Sequence, residues 1–208
     1  MRPFIFLLIP LFVLSLYDSS DANALKSADI KRIYSGIEDI KGSFTQKTFI
    51  KDLNRTDTYK GIFFIKLPSR MKWQYRDEKG ETEVIIKGQE MILYQKNQRQ
   101  ALRQIFDSHL YGQIPVAFLA GLGNIEDDFK IEEKAGHLIL IPKRAMGGIV
   151  SIILRPSQGE FPIGSVVITD KRNNKIEIDL KDVSINTGIS ASIFEFSPPE
   201  GVKLQELR

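Results

Sequence analysis

The chain has 208 residues, 29 of them basic and 26 acidic, with a formal charge of +3 and no cysteine. The lack of cysteine excludes disulfides, a thiolate metal site, a cysteine nucleophile and the lipid-modified cysteine of an ordinary lipoprotein. The weak positive balance is interspersed with carboxylates, as in Lys130-Ile131-Glu132-Glu133-Lys134, and lacks the basic stripe that nucleic acid requires, so no nucleic-acid partner is expected.

Met1-Arg2-Pro3 precedes an apolar run from Phe4 to Tyr17, and small and polar residues then lead to Ala22-Asn23-Ala24. This is the pattern of a secretory signal peptide with an A-x-A cleavage site. The run of 14 residues falls short of the ~20 that a helix needs to span a bilayer. Cleavage after Ala24 is therefore expected, with export of residues 25–208. Removing Arg2, Asp18 and Asp21 leaves 28 basic and 24 acidic residues in a mature chain of 184, a formal charge of +4. That length suits one domain with a substantial core.

Ser27 followed by Ile30, Ile33, Tyr34, Ile37 and Ile40 has the spacing of one long amphipathic helix, capped by Ser27 and stopped by Gly42. From Phe44 the pattern becomes short β-branched and aromatic runs separated by turn residues. Strands are expected at Phe44 to Ile50, Tyr59 to Leu67, Met71 to Arg76, Glu83 to Lys87 and Glu90 to Tyr94. The connections are too short for helical crossovers, so neighbours should be antiparallel. Between Asp107 and Asp128 the pattern breaks, and Ile114, Phe118 and Leu122, with Pro115 near the start and Gly123 at the end, predict a short apolar helix. Strands resume at Phe129 to Glu133, His137 to Pro142, Gly148 to Leu154, Gly164 to Asp170, Lys175 to Leu180 and Phe194 to Phe196. The expected fold is thus mainly β with some α, of about 11 strands, in a single domain.

Several runs are apolar on consecutive residues, among them Ile62-Phe63-Phe64-Ile65, Leu138-Ile139-Leu140-Ile141 and Ile149-Val150 with Ile152-Ile153-Leu154. Both faces of such strands should be covered, either by core packing or by an apolar ligand held on a curved sheet. Met71, Trp73 and Tyr75 alternate with Lys72 and Gln74, which puts three large side chains on one face of a strand. They serve equally as core filler or as the wall of a lipid cavity.

Catalytic patterns are missing. His109 and His137 are the only imidazoles, and no G-x-S-x-G, H-E-x-x-H, phosphate-binding lysine loop or G-x-G-x-x-G is present. Glu126-Asp127-Asp128 lacks the alternating oxygen ligands of a calcium loop. Binding without catalysis, metal or cofactor is the expectation, with carboxylate-based catalysis as the enzyme alternative.

Gly42-Ser43-Phe44-Thr45-Gln46-Lys47 resembles the S-F-x-Q signature of the outer-membrane lipoprotein carrier family, LolA. Lys66-Leu67-Pro68-Ser69-Arg70-Met71-Lys72-Trp73, the Val84 to Tyr94 hairpin, Gln98 to Ala101, Pro115 to Ala120, Leu140-Ile141-Pro142-Lys143 and the terminal Phe194-Glu195-Phe196-Ser197-Pro198-Pro199-Glu200-Gly201-Val202 match further family segments in the same order. The resemblance implies an incomplete antiparallel β-barrel under an α-helical lid, occupying residues 25–208. It implies a cavity for lipoprotein acyl chains, lined here by Phe64, Met71, Trp73, Leu93, Ile114, Phe118 and Leu122. It further implies a monomer that takes cargo from an inner-membrane exporter and yields it to an outer-membrane acceptor. The family's arginine before the proline, which holds the empty lid closed, is Leu67 here, with Arg70 three residues on. These two are the expected lid contacts. A lipid-binding sensor or interaction module of the same fold is the alternative the resemblance leaves open.

Mass spectrometry of the exported protein should find a chain that begins at Leu25. Recovery of the intact Met1 to Ala24 segment in membranes would refute the processing.

Overall fold

The computed structural model describes residues 24–77, 80–106, 119, 122 and 125–207. Helix α1 spans Ser27–Tyr34 and α2 spans Ile125–Asp128. The strands are β1 Asp39–Ile50, β2 Arg55–Lys66, β3 Arg70–Asp77, β4 Gly80–Lys87, β5 Glu90–Gln95, β6 Gln100–Ile105, β7 Phe129–Lys134, β8 His137–Pro142, β9 Ile149–Pro156, β10 Ile163–Asp170, β11 Lys175–Ile185 and β12 Lys203–Glu206. They form one sheet in the order β12-β6-β5-β4-β3-β2-β1-β11-β10-β9-β8-β7, open at β12 and β7. This is the expected incomplete barrel, with a twelfth strand. Side chains from β3 and β5, near one edge, share a buried cluster with β8 and β9 near the other and with Ile30 and Tyr34 of α1. Such a cluster requires the sheet to curl around the helix.

The first helix is shorter than its periodicity suggests. It stops at Tyr34, and Ile37 and Ile40, although buried, belong to the following turn and to β1. Gly42 lies inside β1 opposite Phe63. Ser27 does not cap the helix; its backbone N–H and hydroxyl both donate to Glu133 Oε1, at 3.0 and 3.1 Å. The helix start is thereby docked on the β7–β8 hairpin.

Phe194 to Phe196, expected as a strand, follows a different course. Ala191–Phe194 is a 3-10 turn, and the chain then runs across the outer side of the sheet. There Phe196, Val202 and Leu204 pack on Ile85, Ile92 and Ala101. Apolar coverage on both faces therefore holds in β4 and β5. It fails at Ile62 and Val150, which are 42% and 40% exposed. The final strand β12 pairs with β6 in parallel, the one exception among the described strands to the expected antiparallel neighbours.

A buried carboxylate locks the end of the barrel next to α1. Asp39, only 1% exposed, accepts from Thr187 N–H at 2.7 Å, Thr187 Oγ1 at 3.1 Å, Gly188 N–H at 2.9 Å and Ile189 N–H at 3.0 Å. Burial alone would raise its pKa, but these four donors overturn that and hold it below the ordinary carboxylate value. Asn186 completes the joint by accepting from Glu38 N–H at 2.7 Å and donating to the Gly36 carbonyl at 2.8 Å.

A depressed pKa in the folded state means that the Asp39 contribution is fully present above the unfolded value of about 3.9 and is lost as pH falls through the lower folded value. Asp39→Asn should cost about 1–3 kcal/mol at neutral pH. In denaturant titrations the gap between the variant and the parent should narrow only below about pH 4. A gap that is constant down to the acid transition would refute the charged latch.

Candidate functional site

The paired registers sort the concave side of β1 to β6 into rungs that run across the strands. Nearest α1 lie Ile40, Ile65, Met71, Ile86 and Met91. The second rung carries Gly42, Phe63, Trp73, Val84, Leu93 and Leu102. The third carries Phe44, Gly61, Tyr75, Thr82, Gln95 and Gln100. Across the fold, Ile178, Val166 and Leu154 with Ile176, Ile168, Ile152 and Leu140 continue the apolar surface through β11, β10, β9 and β8. Each rung follows from the two-residue period of a strand once one neighbour's parity is fixed.

Trp73 is the centre of this surface and is completely buried. Phe63 stacks on it with centroids 4.9 Å apart, and Phe44 lies tilted at 4.3 Å. Tyr75 meets Phe44 edge-on at 5.3 Å. The two glycines make room for these rings. A Cβ on Gly61 would stand 1.9 Å from the Gln74 carbonyl oxygen and 2.6 Å from Phe44 Cε1, and one on Gly42 would stand 2.9 Å from Phe63 Cε1. Glycine opposite a phenylalanine on both strands thus lets the aromatic rings lie flat along the sheet.

The roof is apolar. Ile30 and Tyr34 of α1, together with Leu119, Leu122 and Ile125, are buried in the same cluster as Trp73 and Met71. Tyr34 lies 5.9 Å from Phe161, and burial pushes its hydroxyl well above the ordinary phenol value.

Of the residues expected to line a cavity, Met71, Trp73 and Leu93 stand on the concave face, and Leu122 packs into the core beneath which they lie. Ile114 and Phe118 lie outside the described residues. Phe64 is a correction: it is half-buried on the opposite face between Lys41 and Lys72, and Phe63 occupies the inner position. Four consecutive apolar residues leave parity open, and the glycine-facing register decides it. Phe44, Phe63 and Met91 are inner residues that the sequence reading did not single out; glycine two positions before a phenylalanine in both β1 and β2 is the signal that could have found two of them.

Leu67 sits in the turn next to α1, packs against the core and donates its backbone N–H to Glu38 O at 2.9 Å. Arg70 alternates with Met71 and so takes the outer face, pairing in register with Lys66 and Lys87. It points away from the surface that a roof covers.

The outer face holds the described charge network. Glu83 pairs with Lys72 at 3.0 Å and Lys96 at 3.2 Å and accepts from Gln74 at 2.9 Å. Burial would raise its pKa, and these partners lower it instead. Lys96 also pairs with Glu81, so each charge named there touches an opposite one and the network acts as bracing.

An open antiparallel sheet curled around an apolar interior defines the structural class, the incomplete β-barrel. The family model for "Outer membrane lipoprotein carrier protein LolA" matches residues 35–197, and the chain belongs to that family, one of carriers and not of enzymes. An outer-membrane lipoprotein carrier protein of Alkalilimnicola ehrlichii is 30% identical over 191 residues, covering 88% of this chain and 85% of the relative. One from Neisseria meningitidis is 26% identical over 189 residues, covering 88% and 87%. Among solved structures, a Thermus thermophilus protein titled an uncharacterized conserved protein superposes with a TM-score of 0.55 at 9% identity, over 88% of this chain and all of the other. That likeness is one of fold.

Gly61→Ala should lower stability by about 3 kcal/mol, since a backbone oxygen and a packed ring must both shift. Chemical denaturation that shows a loss under about 0.5 kcal/mol would mean that the aromatic platform does not depend on the glycine.

Proposed function

We propose that the mature chain, residues 25–208, works in the periplasm as a soluble carrier that encloses lipoprotein acyl chains, receives them from an inner-membrane exporter and passes them to an outer-membrane acceptor. The observation that carries this reading is the apolar cluster that lines the concave face on the two rungs nearest α1, under an apolar roof, in a member of the lipoprotein carrier family. Each buried CH₂ of an acyl chain is worth ~0.8 kcal/mol, so lipidated cargo leaves a bilayer only for an equally apolar shelter. Met71 and Met91 beside Trp73 give that shelter a surface able to follow chains of variable shape.

The anchoring of Leu25 supports processing after Ala24. Its backbone nitrogen donates to the Gly136 carbonyl at 3.0 Å and its side chain is buried, so residue 25 belongs to the folded domain.

With Leu67 where the family has arginine, residue 67 supplies no polar latch, and beyond the Ser27–Glu133 hydrogen bonds at the start of α1 the closure of the empty carrier rests on non-directional apolar contacts. Added acyl ligand should therefore speed hydrogen exchange in α1, and raising salt from about 0.1 to 0.5 M should not. A triacylated lipoprotein diluted from detergent should form a soluble complex with the mature protein and shift the emission of Trp73. If the lipoprotein stays aggregated and the emission is unchanged, the carrier reading is wrong.

A further inference from the structure

The concave face is not uniformly apolar. On β3 to β5 the two rungs nearest α1, Met71–Ile86–Met91 and Trp73–Val84–Leu93, carry no polar side chain except the indole. The next rung, Tyr75–Thr82–Gln95, is polar and half-buried at every position. The change occurs over a single rung, about 7 Å along the strands. On the opposite wall Ile176, Ile168 and Ile152 remain apolar at the far end, so the polar rung belongs to one side of the trough.

Trp73 stands on the boundary. Its side chain is fully buried and its indole N–H has no hydrogen-bond partner among the described residues. A buried donor left unpaired carries a desolvation penalty that native folds rarely tolerate without a reason. The neighbouring polar groups are engaged with one another: Tyr75 Oη donates to Gln46 Oε1 at 3.3 Å, and Gln46 Nε2 donates to Thr48 Oγ1 at 3.2 Å. Burial raises the Tyr75 pKa and the nearby indole offsets part of that rise, yet indole and phenol do not meet in hydrogen-bond geometry. Core packing alone makes no use of the indole N–H.

We propose that Trp73 Nε1–H and the Tyr75–Thr82–Gln95 rung seat the ester or amide carbonyl at the head of an acyl chain, with the hydrocarbon lying over the two apolar rungs toward α1. This assignment rests on the carrier reading and adds the orientation of the ligand and the chemical feature that is recognised. The indole donates to the carbonyl oxygen, Thr82 and Gln95 face the remaining polar head, and the methyl end of the chain lies among Met71, Ile86 and Met91.

Because Trp73 is the only tryptophan, ¹⁵N-labelled mature protein shows a single indole resonance. Dipalmitoylglycerol should move its proton downfield. The diether analogue, with equal hydrocarbon and no carbonyl, should bind without that shift. Trp73→Phe should weaken retention of the diester by about fivefold more than it weakens retention of the diether, and a cooperative denaturation transition in the variant shows that it is folded. Equal indole shifts with the two lipids, or an unchanged diester-to-diether ratio in Trp73→Phe, would overturn the carbonyl seat and leave the carrier reading standing. Binding of neither lipid would remove both. A triacylated cysteine peptide and a diacyl phospholipid serve as further arms that present the same carbonyls from two sources. A larger downfield shift with the peptide assigns the seat to lipoprotein, and a larger one with the phospholipid assigns it to bilayer lipid.

Discussion

A twelve-stranded sheet with one apolar face cannot leave that face in water, and α1 is far too small to cover it. Eleven inter-strand spacings make the sheet roughly 50 Å wide, whereas eight helical residues extend about 12 Å. The sheet must therefore bury its own face by curling. The central strands carry the means to do so: a register shift between Lys41 and Ser43 where β1 meets β11, and glycines 42 and 61 set opposite phenylalanines 63 and 44. A bulge bends and twists its strand, and a missing Cβ lets a ring from the next strand close in. The stack of Phe63, Trp73 and Phe44 sits on the inside of that bend, so the most buried aromatic cluster and the curvature are two results of the same arrangement.

This dependence explains which parts could be read from sequence. Strands with alternating or strongly β-branched runs were legible to within a few residues, since burial of one face writes itself into the two-residue period. His137 to Pro142 coincides with β8 end to end. The strands without that signature were missed: β6, Gln-Ala-Leu-Arg-Gln-Ile, and β12, Lys-Leu-Gln-Glu, which lie together at one edge of the sheet and are largely polar. Edge strands are under pressure to look unlike strands. The helix was overextended because Ile37 and Ile40 continue a helical spacing by coincidence; both are buried, but through a turn and a strand. Local periodicity reports burial, and the element that delivers it is decided by the long-range pairing of β1 with β2 and β11.

The terminal motif illustrates the same limit in another way. Its two phenylalanines suggested a strand, yet they do separate work: Phe194 is buried in a 3-10 turn, and Phe196 packs on Tyr94 with centroids 5.3 Å apart on the outer face. Glu195 between them pairs with Lys87 at 2.6 Å. The segment covers the outer side of β4 and β5, which accounts for consecutive buried residues Val84, Ile85 and Ile86. A run that is apolar on both faces therefore reflects two coverings here, with Val84 and Ile86 facing the core and Ile85 facing the strap.

The barrel wall and its roof are held by different kinds of force, and the proposed function depends on that difference. The wall is closed by ladder hydrogen bonds and by the Asp39 latch, whose geometry fixes one arrangement. The roof residues Ile30, Leu119 and Leu122 contribute buried area to the shared core, at about 1.5–3 kcal/mol for each fully buried side chain. Hydrocarbon from any source can supply the same area. On the proposed function, an acyl chain entering the trough would replace roof contacts with contacts of equal quality, so the net affinity would be the small difference between two large apolar burials. A carrier that must take lipid from one site and surrender it at another is served by such a near-balance. Directional groups then decide the orientation in which the chain lies, and among the buried inner side chains of the β3–β5 wall the indole N–H of Trp73 is the donor left free to do so.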